Sequence, residues 1–146
     1  MLRTVSIGLD VVDVRRIAVL RARYSRAELG LIFTERERRD AARSVTPDLH
    51  YAVCFGAKES VGKALGVGMA GIDWCDVGSR IAWPTVAVTP TGTAAALAAG
   101  LGIRRWTAAA TIHRHCVVVA VIARGRGVSI VEVRSDWMSN MDAGTM

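Results

Sequence analysis

Lysine is almost missing from this sequence of 146 residues, although the chain carries a net positive charge. Lysine and arginine together account for 19 residues, and only two of these are lysines, Lys58 and Lys63. Both lie in one short segment, residues 55–66. A lysine ammonium is a compact point charge on a flexible stem, which suits phosphate oxygens. The scarcity of lysine elsewhere therefore indicates that this segment carries the chemistry.

Cysteine and long apolar runs are also scarce. The three cysteines, Cys54, Cys75 and Cys116, cannot all pair with one another and show no paired-thiol spacing, so we expect no disulfide. Charged residues interrupt the first 20 residues, unlike the apolar core of a secretory signal. No run reaches the roughly eighteen apolar residues that a membrane span requires. We expect a soluble cytoplasmic protein with no membrane partner.

Aromatic residues make up 5% of the chain, and the net charge is +6. This charge suits an anionic partner, whether nucleic acid, an acidic protein, a phosphorylated small molecule or a membrane surface. A nucleic-acid binder would account for the charge. However, the scattered aromatic residues form no base-stacking platform, and that interpretation leaves the acidic residues described below without a role. We expect no nucleic-acid partner.

Positive charge is concentrated near the amino end. The first 26 residues contain two aspartates and six arginines, namely Arg3, Arg15, Arg16, Arg21, Arg23 and Arg26. This end is therefore a candidate docking face for an acidic partner.

The length fits one domain, which we place at residues 1–134. Apolar periodicity and capping signals predict its elements. The predicted helices are at 17–24, from the capping box Thr34–Glu37 to about residue 43, from Pro47 to Gly66 as a long central helix, and at 91–101. The predicted strands are at 4–9, with Asp10 at its end, at 74–81, and at 85–89, with Pro84 at its start. A hairpin of strands at 106–112 and 116–123 and a strand at 128–133 follow. Residues 135–146 lack periodicity and are predicted to form a flexible tail.

Two acidic residues and one lysine are the first candidates for a site. On the central helix Glu59 and Lys63 are one turn apart, so a carboxylate for a metal ion and an ammonium for a phosphate share one surface. The simpler interpretation is an exposed helical ion pair. Asp10 follows an apolar strand, where burying a carboxylate is costly unless it is paired, hydrogen-bonded or bound to metal. The simpler interpretation is that the Asp10 carboxylate accepts hydrogen bonds from backbone N–H groups or forms a structural ion pair with Arg16.

Two further motifs are weaker. Gly66, Gly68 and Gly71 have the spacing of a dinucleotide-binding fingerprint, but that motif follows a strand and precedes a helix, and here the order is reversed. We interpret these glycines as a helix stop and a loop that approaches a ligand closely. Residues 113–116 hold two histidines and a cysteine without a second ligand pair at zinc-like spacing. His113 remains a candidate contact for a phosphate or a ribose.

Together these segments resemble the 4'-phosphopantetheinyl transferase family, and most closely its short class, the holo-acyl-carrier-protein synthases. The segment Phe55-x-x-Lys58-Glu59-Ser60-x-x-Lys63-Ala64 matches the second motif of the family at every signature position. The segment Ile7-Gly-Leu-Asp10-Val-Val-Asp13-Val-Arg-Arg16-Ile is similar to its amino-terminal motif. Residues 32–37, Trp83-Pro84 and the region around His113 extend the likeness over about residues 5–123.

The resemblance implies an α+β fold, in which an antiparallel sheet packs with a long central helix. It implies transfer of the phosphopantetheine arm of coenzyme A to a serine of an apo acyl or peptidyl carrier protein, in fatty acid or polyketide biosynthesis, with release of adenosine 3',5'-bisphosphate. Asp10 and Glu59 would hold Mg²⁺, and Asp10, Glu59 and Lys63 would be catalytic, with Glu59 taking the serine proton. The implied coenzyme A contacts are Lys58, Lys63, Gly66, Pro84 and His113.

The resemblance also implies partners. Arg15, Arg16 and Arg23 would meet the acidic recognition helix of the carrier protein, and short-class members are similar to one another in forming homotrimers with active sites at subunit contacts. Four positions depart from residues common in the class, Cys54, Gly62, Ala110 and Arg114. We expect these departures to remove hydrogen bonds that orient coenzyme A. An alternative function is therefore a degenerate paralogue that binds coenzyme A or a carrier protein without catalysis.

Overall fold

The computed structural model describes residues 4–127. In chain order its elements are β1 (Val5–Asp13), α1 (Val14–Arg23), α2 (Arg26–Leu29), α3 (Glu35–Ala42), α4 (Pro47–Ala64), a 3₁₀ turn (Trp74–Asp76), β2 (Val77–Ala82), β3 (Thr85–Pro90), α5 (Gly92–Gly100), β4 (Ile103–His113) and β5 (Cys116–Gly125). The strand predicted at 128–133 and the predicted tail at 135–146 lie outside the described residues.

The strands form one antiparallel sheet in the order β1-β5-β4-β3-β2. The predicted hairpin of β4 and β5 is confirmed, with His113 opposite Cys116 at its tip. Strand β1 occupies one edge, where Asp10 lies opposite Val119 of β5. Helix α4 packs against β1, β5 and β2. The α+β class, with an antiparallel sheet and a long central helix, is therefore confirmed.

Helix α4 lies unusually close to the sheet, and two glycines make this approach sterically allowed. A Cβ added at Gly8 would come within 1.7 Å of the Ser60 carbonyl oxygen, and one at Gly56 within 2.7 Å of a Val119 methyl group. The Ser6 hydroxyl donates to the Ala64 carbonyl oxygen at 2.7 Å. Because side chains alternate along a strand, the same face of β1 turns Asp10 toward the last turns of α4.

Helix starts follow local capping signals. Thr34 and Glu37 form the predicted capping box at the start of α3. A second capping box, Ser25 with Glu28, begins the short helix α2. This helix was not predicted, although its serine and glutamate have the same spacing as Thr34 and Glu37. At the start of α1, the Asp13 side chain accepts a hydrogen bond from the Arg15 backbone N–H at 2.9 Å.

Three predicted boundaries need correction. Strand β1 continues through Asp13, so Asp10 lies inside the strand and not at its end. Residues 74–76 form a 3₁₀ turn before β2, because the Asp73 carboxylate caps the backbone at Cys75. Pro84 lies in the turn before β3, after a cis Trp83–Pro84 bond, and not in the strand.

The sheet face turned away from α4 is apolar at its β1 edge. Alternate residues of β1 are half exposed or more: Val5 50%, Ile7 65%, Leu9 51% and Val11 57%. On β5, Ile122, Ala120 and Val118 lie opposite Ile7, Leu9 and Val11, and Arg124 lies opposite Val5. We call the residues Val5, Ile7, Leu9 and Val11 with these three apolar residues of β5 the outer apolar face. Within residues 4–127, no helix combines the length and apolar character needed to cross a bilayer.

Candidate active site

Asp10 and Lys63 meet across the junction of β1 and α4. The Lys63 Nζ donates to Asp10 Oδ1 at 2.8 Å and to the Leu9 carbonyl oxygen at 3.0 Å. The partner of Asp10 is therefore Lys63 and not Arg16, the structural partner considered from sequence. The Lys63 side chain is 46% exposed and that of Asp10 is 17% exposed, so the ion pair lies at the mouth of a site open to solvent.

Glu59 joins the same site. It lines a cavity of about 290 Å³ together with Asp10. Partial burial raises the pKa of the Glu59 carboxyl above its ordinary value, the nearby Asp10 charge raises it further, and Lys63 lowers it. Two carboxylates thus repel each other at this cavity, and the structure brings together the three side chains predicted to be catalytic.

The cavity has a charged part and an apolar part. Its charged lining is Asp10, Asp13, Arg16 and Glu59, and its apolar lining is Val11, Val12, Ile17, Leu20 and Phe55. The Phe55 ring stacks on Trp74 with ring centroids 5.1 Å apart. The apolar lining suits an aliphatic ligand portion, whereas the charged lining, with three carboxylates and one guanidinium, is net negative and would bind an anionic portion only with a cation beside it.

Three carboxylates line this cavity, and Asp13 is paired with Arg15, so Asp10 and Glu59 are the candidate metal ligands. Among residues 4–127, no group of three or more His, Cys, Asp and Glu side chains is arranged to hold a metal. Magnesium is typically bound through one or two carboxylates, together with waters and substrate phosphates. Asp10 and Glu59 are therefore the side chains that would hold such an ion.

The structure places Lys58 in the interior and not at this surface, so it gives no support to the predicted contact with coenzyme A. Its side chain is fully buried, and its Nζ lies 2.9 Å from Glu37 Oε2. The same nitrogen donates to the carbonyl oxygens of Trp74 at 2.9 Å and Val77 at 2.6 Å. An ammonium has three N–H donors, and all three are used inside the protein. The two lysines of the segment therefore have different roles.

The other predicted coenzyme A contacts lie away from the cavity lining. Gly66 follows α4 at φ +79° and stops the helix as interpreted from sequence. Pro84 accepts a hydrogen bond from the Ala110 backbone N–H, and Ala110 pairs with Val119, the partner of Asp10. Three strand spacings therefore separate Pro84 from Asp10, roughly 14 Å. His113 lies two strand spacings from β1 and three residues along the strand from the level of Asp10, which is also roughly 14 Å from Asp10.

The predicted docking arginines lie on or beside α1. Arg15, Arg16 and Arg23 are all exposed. Arg15 binds Asp13 through its guanidinium at 2.7 Å, and the hydrogen bonds from the Arg15 side chain and backbone lower the pKa of Asp13 to about 2. Arg16 lines the cavity itself. Asp13 was not predicted as a site residue, although an aspartate immediately before a helix is a recognisable N-cap signal.

The departures from the short class are mostly interior. Cys54 is fully buried, where desolvation raises the pKa of its thiol to about 12, and Ala110 is 5% exposed. Gly62 is buried under the following loop, and a Cβ there would come within 2.7 Å of Gly68 backbone atoms. The expectation that these departures remove hydrogen bonds that orient coenzyme A stays a prediction. Arg114 is exposed in the hairpin turn at φ 55°.

Comparison with known protein families gives a match over most of the chain. Residues 6–111 match the model of the 4'-phosphopantetheinyl transferase superfamily. The holo-[acyl-carrier-protein] synthase of Nitrobacter hamburgensis is 35% identical over 106 residues, which cover 69% of this chain and 71% of that protein. The synthase of Bartonella tribocorum is 43% identical over 75 residues, 51% of this chain and 56% of that protein. The chain thus spans little more than half the length of several such relatives.

Solved structures show the same fold. The holo-[acyl-carrier-protein] synthase of Neisseria meningitidis superposes with a TM-score of 0.71 at 24% identity, over 81% of this chain and 96% of that chain. The Bacillus anthracis synthase, in complex with CoA (3',5'-ADP), superposes with a TM-score of 0.67 at 20% identity, over 85% of this chain and 99% of that chain. With the matched family model and the relatives above, these findings show that the chain belongs to the 4'-phosphopantetheinyl transferase superfamily.

Proposed function

We propose that this protein is a holo-acyl-carrier-protein synthase, which transfers the 4'-phosphopantetheine arm of coenzyme A to a serine of an apo acyl or peptidyl carrier protein in the cytoplasm. Adenosine 3',5'-bisphosphate is the other product. The observation that carries the proposal is that Asp10 and Glu59 line one cavity and Lys63 pairs with Asp10 beside it, in a chain of this superfamily. Relatives named as holo-[acyl-carrier-protein] synthases and a neighbour solved with coenzyme A support the substrate assignment.

Lys63 is the residue that binds phosphate in this proposal. Two of its three N–H donors are used by Asp10 and Leu9, so within the described part of the chain one donor is left for a ligand oxygen. Phosphoryl transfer depends mainly on positioning and on charge neutralisation, which an ammonium supplies. The apolar part of the cavity, formed by Ile17, Leu20 and Phe55, suits the aliphatic pantetheine arm.

Asp10 and Glu59 would hold Mg²⁺, which when bound supplies positive charge to the phosphate oxygens. The raised pKa of Glu59 means that this carboxylate holds a proton more readily than an ordinary glutamate. Bound Mg²⁺ would lower this pKa again, so Glu59 is the candidate acceptor of the carrier-protein serine proton because of its place at the cavity and not because of the shift. The chain thus provides the proton acceptor and the ammonium from one helix.

The exposed arginines of α1 would bind the carrier protein. Arg16 stands on the rim of the cavity, so an acidic helix held there delivers its serine close to Glu59. Arg23 is exposed two turns further along α1 and extends the positive face. Charge complementarity of this kind speeds association and selects acidic partners.

The active enzyme in this proposal is a homotrimer. The outer apolar face exposes four aliphatic side chains of one strand, an arrangement that commonly marks a protein interface. Pro84 and His113 lie too far from Asp10 to share a ligand's phosphates with it in one subunit. A second copy of the chain would bring these residues to the cavity of the first.

Mass spectrometry of carrier proteins tests the proposal. Purified protein is incubated with magnesium, coenzyme A and a panel of apo acyl and peptidyl carriers, and we expect a mass gain of one phosphopantetheine arm. A chelator should abolish the gain and added magnesium should restore it. Asp10→Ala and Glu59→Gln should abolish transfer with circular dichroism unchanged, while Glu35→Gln, an exposed glutamate of α3, should not. Coenzyme A binding without transfer to any carrier would favour the degenerate paralogue.

A further inference from the structure

Lys58 and Glu37 form a buried ion pair that joins four elements. Both side chains are fully buried, and the Nζ–Oε2 distance is 2.9 Å. Glu37 Oε1 accepts a hydrogen bond from the Ser79 hydroxyl at 2.7 Å, and Glu37 Oε2 accepts from the Thr34 backbone N–H at 2.9 Å. Every polar atom of the pair therefore has a partner. We call Lys58, with the Glu37 carboxylate and the carbonyl groups of Trp74 and Val77, the Lys58 clamp.

Buried ion pairs are not efficient stabilisers. Removing two charges from water costs several kcal/mol for each ion, and apolar replacements of similar volume are often as stable. A fully satisfied buried pair does fix one arrangement of the elements that it joins. Its geometry therefore indicates what the pair holds in place, which here is the segment that follows α4.

That segment is the glycine loop, residues 66–71, and it is attached to α4 at both ends. At its beginning, the backbone N–H groups of Val67 and Gly68 donate to the Gly62 carbonyl oxygen at 3.2 and 3.0 Å. Beyond its end, Lys58 holds the Trp74 carbonyl oxygen. Lys58 and Gly62 are one helical turn apart, so both attachments lie on the same side of α4.

The same clamp supports the cavity wall. Trp74, whose carbonyl Lys58 holds, stacks its ring on Phe55, and Phe55 lines the cavity beside Glu59. A displacement of Trp74 therefore releases the end of the glycine loop and the apolar wall together.

We propose that Lys58 and Glu37 are positioning residues, which set the glycine loop and Phe55 for binding of coenzyme A. The inference rests on the proposed function, which places the apolar wall against this substrate. The clamp does not touch the reacting groups. Its loss should therefore weaken coenzyme A binding while leaving the chemical step largely intact.

The double variant Lys58→Met/Glu37→Gln tests the proposal without leaving a buried charge. Methionine keeps the apolar stem, and glutamine keeps the capping box of α3. Ser79→Ala is the matched control, because it removes one hydrogen bond of Glu37 but leaves the ion pair and the bonds of Lys58 to Trp74 and Val77. We expect the KM for coenzyme A to rise about tenfold in the double variant, with kcat changed less than about threefold. The control should match wild type. An unchanged KM in a folded double variant would overturn the proposal.

Amide hydrogen exchange tests the clamp independently of activity. Peptides covering residues 66–76 should exchange about tenfold faster in the double variant, while peptides of β4 and β5 keep their rates. In the wild-type protein, the backbone N–H groups of Cys75 and Asp76 bond only to Asp73, within their own turn. If the clamp holds this turn, these two amides should nevertheless exchange about 100-fold more slowly than the same amides in an unfolded chain. Unprotected amides there would refute the clamp even if the double variant fails to fold. Absence of transfer activity with protected amides would refute the proposed function alone.

Discussion

Gly8→Ala tests whether the close approach of β1 and α4 builds the active site. A Cβ at this position would come within 1.7 Å of the Ser60 carbonyl oxygen, whereas real Cβ atoms essentially never approach another heavy atom within 3.0 Å. Strand and helix must therefore separate by about 1.3 Å. The obstructing oxygen belongs to the helix backbone and cannot rotate away. Asp10 on β1 and Lys63 on α4, now 2.8 Å apart, would separate with the two elements.

The cost follows from this displacement. Overpacking of a close-packed interior typically costs about 1–3 kcal/mol, and occasionally more. A misplacement of about 1 Å at reacting groups lowers rates by about 100-fold. We therefore expect Gly8→Ala to lose at least about 1–3 kcal/mol in urea denaturation and about 100-fold in kcat/KM for transfer.

A second strand glycine is the control. In Gly78→Ala the nearest atom to the new Cβ is the Thr89 carbonyl oxygen at 3.7 Å, an ordinary contact. This variant should lose less than about 1 kcal/mol and keep its activity. Wild-type stability and kcat/KM in Gly8→Ala would refute the reasoning, since they would mean that the strand and helix are not held in the described contact.

Three further predictions concern single surface positions. The pKa of Glu59 lies above its ordinary value of 4.5, so ionisation of Glu59 destabilises the folded protein as the pH rises. Glu59→Gln should therefore raise the Tm of the metal-free protein at pH 7, as measured by calorimetry. The difference in Tm between variant and wild type should vanish below about pH 4, where Glu59 is protonated in both the folded and the unfolded state. Arg16→Glu should raise the KM for the carrier protein about tenfold, with coenzyme A binding changed much less. Arg104→Glu, on β4, should not raise this KM. An equal loss of coenzyme A affinity in Arg16→Glu would show that α1 is not the docking face. Ile7→Lys, at a side chain 65% exposed on the outer apolar face, should yield monomers in light scattering, whereas Val45→Lys, at a position 98% exposed, should not.

Local signals predicted much of the fold. The capping box at Thr34 marks the start of α3, and the apolar period after Pro47 marks α4 to within two residues of its end at Ala64. The two strands around residues 113–116 read as a hairpin because their alternation is regular. These features depend on residues within a few positions of one another.

The site itself was only partly predictable, because its contacts are long-range. Asp10 and Lys63 are 53 positions apart, and the contact depends on how closely β1 approaches α4 at Gly8. The burial of Lys58 could not be read from periodicity, since α4 is buried on most sides and offers no single apolar stripe. Its partner Glu37 already had a role in a capping box, and nothing local marks a second one.

The charge distribution of the free site bears on the proposed need for a divalent cation. Arg15 neutralises Asp13, and Lys63 pairs with Asp10, yet Asp10 raises the pKa of Glu59 more than Lys63 lowers it. Asp10 and Glu59 thus carry like charges at one cavity, and a diphosphate that enters there adds further negative charge. One free donor of Lys63 cannot offset this charge for a ligand with several negative charges. In the proposed enzyme, a cation held by Asp10 and Glu59 would offset the repulsion between these carboxylates and attract the diphosphate, adding to the positive charge of Lys63 and Arg16.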